Sequence, residues 1–320
     1  MSSLQVNNPQ IFDYESYLKY KQNIWHATYR EGLYFSAMEE LGQELLINIG
    51  IKKQSETQTS WFQTPHALHD GYSALKVLAK EKQFSLNLPE FNFRPPMSFF
   101  KSILSAIRSS PKENHQYINQ SNQAEMKNST DFHYMRMNFP LKSQRYSDTA
   151  VFSKVVCQTL MENLTKNTSS RWMVPVRLRD TEGLQASYFG LEVKKEDSVE
   201  DLHKKVVSKL KIGEHWGFYY ISKLGLKLGK KAILYLTQKN VLKSDTIWMG
   251  VISNLGDLGE SIELDELTIL APVRWHRPVG AVIYRHNNEQ ILTLAFHKSL
   301  KGVNTDEIFR KITAVHQSLL

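Results

Sequence analysis

The sequence predicts an α/β protein built of mixed α+β layers. Three observations carry that expectation. The 320 residues are 41% hydrophobic and 11% aromatic, enough for a substantial core. From residue 147 onward, runs with helical period alternate with short β-branched or aromatic runs. "HNNE", 286–289, joins two apolar runs in the manner of a hairpin, so part of the sheet is antiparallel.

Taken in chain order, "TSWFQT", 59–64, is compatible with a strand. "YSALKVLAKE", 72–81, places Tyr72, Leu75, Leu78 and Ala79 near helical period. "PHALHDG", 65–71, then falls at a strand-to-helix junction, where side chains can project into a cleft. "FRPPMSFFKSILSAI", 93–107, reads as an apolar helix against the core. The polar interval "SSPKENHQYINQSNQAEMKNS", 109–129, reads as a surface linker or crossover. It divides the chain into an N-terminal half-domain, 1–130, and a C-terminal half-domain, 131–320.

In the second half, "SDTAVFSKVVCQTLMENL" has Ser, Asp and Thr as cap candidates and a stripe of Val151, Val155, Leu160 and Leu164. "RWMVPVRLR", 171–179, is a strand. "DSVEDLHKKVVSKL" sets Ser198 three residues ahead of Asp201, with Leu202, Val206 and Leu210 on one face, which predicts a capped helix. "TIWMGVISNLGDLG", 246–259, reads as a buried strand running into a Gly-rich turn. "VGAVIYRHNNEQILTLAFHKSL" is the hairpin. "NTDEIFRKITAVHQSLL" closes the chain as a helix, with Asn304 and Glu307 at capping-box spacing and Ile308, Ile312 and Val315 as its stripe. "WGFYYISKLGLKLGKKAILYLTQK", 216–239, admits two readings. One is an interfacial amphipathic helix making peripheral membrane contact; the other is a core-facing helix with its lysines in solvent. Gly217, Gly225 and Gly229 weaken a continuous helix there.

Composition narrows the function classes. Forty Lys+Arg against 32 Asp+Glu give a net charge of +8, suited to an anionic membrane, a phosphorylated cofactor or an acidic carrier. The basic residues are dispersed, without an Arg-rich block or an RNP or zinc-finger pattern, so nucleic acid is not an expected partner. One cysteine, Cys157, excludes an intramolecular disulfide and a cysteine zinc cage. Its apolar flanks predict a buried, inert thiol. No repeat of solenoid length occurs. Neither a basic start with an apolar run nor a stretch of roughly 20 apolar residues is present, so a cytoplasmic location is expected.

"HALHDG" holds the candidate chemistry. A histidine at such a junction can act as a general base near neutral pH. Gly71 would supply a tight turn or allow close backbone approach. His66 also fits a buried, hydrogen-bonded histidine without chemistry, His69 fits packing, and Asp70 fits a helix N-cap. No G-x-S-x-G, H-E-x-x-H or P-loop occurs, and no third ligand joins His66 and His69 for a metal.

His66, Asp70 and Gly71 form H-x-x-x-D-G, which resembles the chloramphenicol-acetyltransferase-like superfamily of condensation domains, wax-ester synthases and alcohol acyltransferases. The first histidine of the longer H-H-x-x-x-D-G form is Pro65 here. "VPVRLR", 174–179, and "ISNLGDLG", 252–259, follow in the family's order, and the pattern covers most of 59–320. The resemblance implies two sandwich-like half-domains with an intervening tunnel, the N-terminal one shortened, since members usually carry more chain ahead of the motif. It implies an acyltransferase that moves an acyl group from acyl-CoA or an acyl-carrier protein to an alcohol or amine. Ester formation is favoured, because "SNLG" resembles the alcohol acyltransferase branch. His66 would be the general base. Asp70 would pair with an arginine, Arg179 first and Arg177 second, although those two also fit a solvated edge-strand pair. Ser253 and Asn254 would serve the oxyanion or line the tunnel, or simply form a turn; 93–107 would be a second candidate for the tunnel wall. No metal or redox cofactor is implied. The alternative is a non-catalytic carrier- or ligand-binding protein on the same fold.

Overall fold

The computed structural model describes residues 6, 8–26, 30–88, 98–109, 119–121, 129–141, 145–178, 186–239 and 248–319. Its strands are β1 Gln10–Ile11, β2 Leu46–Lys53, β3 Ser60–Pro65, β4 Phe132–Pro140, β5 Ser169–Arg177, β6 Ala186–Lys194, β7 Gly250–Asp257, β8 Leu264–Leu270, β9 Val279–His286 and β10 Glu289–His297. The helices are α1 Tyr14–Gln22, α2 Arg30–Glu40, α3 Gly71–Lys82, α4 Phe99–Ser109, α5 Asp148–Leu164, α6 Val199–Ile212, α7 Glu214–Lys227, α8 Lys230–Thr237 and α9 Thr305–Ser318.

Local sequence signals account for several of these boundaries. Ser198 and Asp201 form a complete capping box at α6. Asn304 caps α9 by accepting from the Glu307 N–H at 3.1 Å, but the Glu307 side chain turns to Lys311, so only half of the expected box forms. Asn287 and Asn288 take φ of 50° and 61°, the two positive angles that a two-residue hairpin with the right-handed strand twist requires.

Two sheets result. The smaller has the order β1-β3-β2-β8, and the larger β4-β10-β9-β7-β5-β6. In the larger sheet β7 runs parallel to both β5 and β9, while the remaining pairs are antiparallel. One face of the larger sheet buries Trp172, Phe189 and Phe296 against α5, α6 and α9. A second core joins the smaller sheet and α3 to Val282, Tyr284 and Ile291 of the larger sheet. The sheets do not divide at residue 130: β8 comes from the C-terminal half and pairs with β2 in the smaller sheet. The β8 carbonyls of Leu267 and Ile269 accept the Tyr284 and Thr293 hydroxyls, so side chains of the larger sheet satisfy its outer edge.

Residues 216–239 form parts of two helices, with a break at Gly229, whose φ is +86°. Trp216, Phe218 and Tyr219 are buried, while Ile221, Leu224, Leu228, Tyr235 and Leu236 are exposed. Gly217 does not interrupt α7. Its missing Cβ lets α7 lie against α4, since a methyl there would sit 2.0 Å from the Ser102 carbonyl oxygen. Among the described residues no helix is long and apolar enough to cross a membrane. Of 93–107, residues 98–107 are described, and α4 occupies 99–107 of that run. It buries Ser102 and Ala106 and exposes Phe99, Phe100, Leu104 and Ile107. Most of the polar interval 109–129 lies outside the described residues.

Candidate functional site

β3 ends at Pro65, and the chain turns through 66–68 before α3 begins at Gly71. The turn is tied by Leu68 N–H to the Pro65 carbonyl at 3.0 Å, and His66 N–H donates to Leu45 O at 2.8 Å. The His66 imidazole stacks on Phe35 of α2, with centroids 4.2 Å apart and planes 22° from parallel. Its ring is also hydrogen-bonded to the backbone of His66 itself and of His69. Loss of water lowers the His66 pKa to about 4; the backbone hydrogen bonds oppose that shift, and the nearby Arg277 charge adds to it. His66 is therefore neutral at pH 7.

The other motif residues have structural partners. His69 is buried, with Nε2 3.0 Å from the Asp13 carboxylate and its ring against Phe12. Asp70 caps α3, its Oδ1 accepting from the Tyr72 and Ser73 N–H groups at 3.1 and 2.8 Å. Burial raises the Asp70 pKa, opposed by those hydrogen bonds and by the Arg177 charge. Asp70 Oδ2 is buried and makes no hydrogen bond. Gly71 has neither role expected of it. Its φ is not positive, and the nearest atom to an added methyl is Leu255 Cδ2 at 3.9 Å, a side chain at ordinary contact distance.

Arg177, at the end of β5, lays its guanidinium 3.8 Å from the centre of the Tyr72 ring, so its charge acts on Asp70 from beside the cap. Arg179 lies outside the described residues. Ser253 and Asn254 lie on β7, both partly exposed. The Asn254 side chain donates to Thr149 Oγ1 at 3.1 Å and accepts from Gly256 N–H at 2.9 Å, so it pins a bulge of β7 to the start of α5. That engagement gives Asn254 a structural role and uses one of its two amide N–H donors.

Tyr34, Tyr188, His276 and Arg277, which sequence reasoning did not single out, gather with His66. Their charges and hydroxyls influence one another's pKa values. Tyr34 keeps 39% of its surface accessible, and His66, Tyr188, His276 and Arg277 are partly accessible. Yet loss of water is the leading cause of every one of their shifts, bringing His276 to about 3 and pushing Tyr34 and Tyr188 up. Partial exposure together with desolvation-dominated shifts is the combination expected of groups in a concave, poorly hydrated setting, here called the recess. Its groups come from α2, the β3–α3 turn, β6 and the 274–277 turn. Beyond the His66 motif, its sequence trace is "RWHRP", 274–278, two arginines and a histidine ahead of a proline.

A cleft of about 530 Å³ lies elsewhere, lined by residues of α4, β6 and α6 such as Lys101, Leu104, Leu191 and Lys209. None of the motif residues borders it. Among the described residues no group of three His, Cys, Asp or Glu side chains is placed to hold a metal ion.

No protein-family profile matches the sequence, and no curated protein matches it. Solved structures do. The wax ester synthase/diacylglycerol acyltransferase from Marinobacter aquaeolei VT8 is similar with a TM-score of 0.50 and 13% identity, over 81% of this chain and 68% of that one. The cyclization–docking bidomain of a nonribosomal peptide synthetase from Sorangium cellulosum has a TM-score of 0.50 and 11% identity, over 81% of this chain and 59% of that one. At these identities the likeness is one of fold, and the fold is chloramphenicol-acetyltransferase-like.

Proposed function

We propose, from that shared fold and the recess around His66, that the chain is an acyltransferase. It would move an acyl group from a thioester, acyl-CoA or an acyl-carrier protein, to an alcohol or amine, with an alcohol preferred. The observation that carries the reading is the His66 imidazole: neutral at pH 7, held by stacking and backbone hydrogen bonds, and partly accessible within a water-poor recess.

His66 accepts the proton of the acceptor hydroxyl or amine as that group attacks the thioester carbonyl. The tetrahedral intermediate then expels the thiol, and the proton on His66 returns to the leaving sulfur. A general base of this kind contributes about 10²–10⁴ in rate. Asp70 supports the reaction indirectly, by capping α3 and fixing the turn that carries His66. Ser253 remains a candidate for the tunnel wall, and the net charge of +8 suits coenzyme A phosphates or an acidic carrier. The exposed apolar residues of α4, α7 and α8 would make any peripheral membrane contact.

The test is thiol release from a panel of acyl-CoA and acyl-carrier donors with mixed alcohol and amine acceptors. Wild type and His66→Ala are run side by side. Acceptor-dependent release that disappears in the variant is the expected result. Folded wild type that releases thiol with no pair would instead favour a protein that binds carriers or ligands on this fold without turnover.

A further inference from the structure

Charged side chains buried in a protein are normally matched by an opposite charge, because removing a guanidinium from water is costly. Two arginines of the larger sheet follow that rule: Arg285 is held by two hydrogen bonds to Asp148, and Arg136 lies beside Glu266. Arg274 has no carboxylate in contact among the described residues and its Nε is buried without a hydrogen bond, but it donates to Ser129 O and feels the Glu44 charge.

Arg277 does not follow it. Among the described residues no carboxylate pairs with it. Its Nε is buried without a hydrogen-bond partner, and Nη1 reaches only the Met173 thioether, at 3.4 Å. The Arg277 backbone is placed firmly. Arg277 N–H and C=O exchange hydrogen bonds with Arg274, at 2.9 and 3.1 Å, closing the 274–277 turn. The groups around the guanidinium are Tyr34 and Tyr188, both neutral phenols, with His66 and His276. Among the described residues the recess therefore presents a cation near the candidate base with no carboxylate in contact with it; the Glu214 carboxylate acts on Tyr188 and is already paired with Lys209.

We propose that Arg277 binds an anionic group of the substrate, a carboxylate or a phosphate, within the recess beside His66. A planar guanidinium offers paired N–H donors that match either anion in bidentate fashion. The Tyr34 and Tyr188 hydroxyls would be further donors to the same group. On the acyl-transfer reading, on which this part rests, the anion belongs to the acceptor: a hydroxy or amino acid, or a phosphorylated alcohol. Seating that anion on Arg277 brings the acceptor's nucleophile to His66. Binding of the anion itself does not depend on turnover.

Benzoate, phenyl phosphate and neutral benzamide are titrated into wild type, Arg277→Gln and Arg277→Lys, with binding followed by calorimetry. Saturable binding of benzoate or phenyl phosphate to wild type is expected, at least tenfold weaker in Arg277→Gln, partly restored in Arg277→Lys, and absent for benzamide. No anion binding to wild type, or equal binding to folded Arg277→Gln, overturns the proposal. The donor panel described above separates the two readings. Anion binding without thiol release from any donor keeps the Arg277 site and removes the acyltransferase. Transfer to neutral acceptors with no anion binding does the reverse.

Discussion

Asp70 offers a sharp division between two ways of holding the motif loop. It acts either as the cap of α3 or as half of a buried ion pair with an arginine. Asp70→Asn keeps an acceptor for the Tyr72 and Ser73 N–H groups and removes the charge, whereas Asp70→Ala removes both. Losing an N-cap costs about 1 kcal/mol, and up to ~2. Breaking a directly bonded buried pair costs about 3–5 kcal/mol, because the surviving charge is stranded. Here Oδ2 makes no hydrogen bond, and the carboxyl pKa is raised above 3.8, first by burial. A carboxyl with a raised folded pKa binds its proton more tightly in the fold than in the unfolded chain. Its contribution is therefore greatest below the unfolded value and is lost as pH rises through the folded one. At pH 7 the ionised group is a net cost. Asp70→Asn is thus expected to match wild type or exceed it slightly in urea unfolding followed by tryptophan fluorescence, with Asp70→Ala about 1–2 kcal/mol below Asn. If both variants instead lose about 3–5 kcal/mol, the cap account is wrong and a direct Asp70–arginine pair holds the loop.

Other perturbations test the scaffold and its charge state. Gly217→Ala drives a methyl into the Ser102 backbone and is expected to cost about 1–3 kcal/mol, or more, in the same unfolding assay; an unchanged midpoint would contradict the α4–α7 contact. His66, His215, His276 and His286 are held uncharged, with pKa values of about 4, 4, 3 and 4. Depressed folded values give stability that is full above the unfolded pKa of 6.5 and lost as pH falls through the folded ones. The melting temperature should therefore decline steadily from pH 6.5 toward 4, and a flat profile down to pH 5 would refute the assignment. Cys157 is fully buried and its thiol pKa is pushed well up. An aromatic disulfide reagent should find no thiol in native protein and one after denaturation.

Elements specified by neighbouring residues were legible in the sequence. The Ser198–Asp201 box and the paired asparagines at 287–288 act within a turn of chain, so their spacing alone announces α6 and the β9–β10 hairpin. Gly217 shows the limit of that reasoning. Helix propensity marks it as a weakness, whereas the structure uses it to admit α4, a contact reaching back to Ser102. β8 shows the same limit for topology: nothing within "LDELTIL" says that it pairs with β2, more than 200 residues earlier in the chain. At the site, His66 and Asp70 were legible through their spacing. The recess was not, because Tyr34, Tyr188, His276 and Arg277 come from three separate segments and become neighbours only through tertiary packing. An arginine in a polar pentapeptide looks solvated until the fold removes its water.

The most direct measurement of the central claim is kcat/KM for acceptor-dependent thiol release by His66→Ala relative to wild type, using the best donor and acceptor pair and protein with an unchanged urea midpoint. A fall of about 10²–10⁴ is expected if His66 is the general base. Retention of activity within tenfold would place the chemistry elsewhere and leave His66 as a packed residue of the recess.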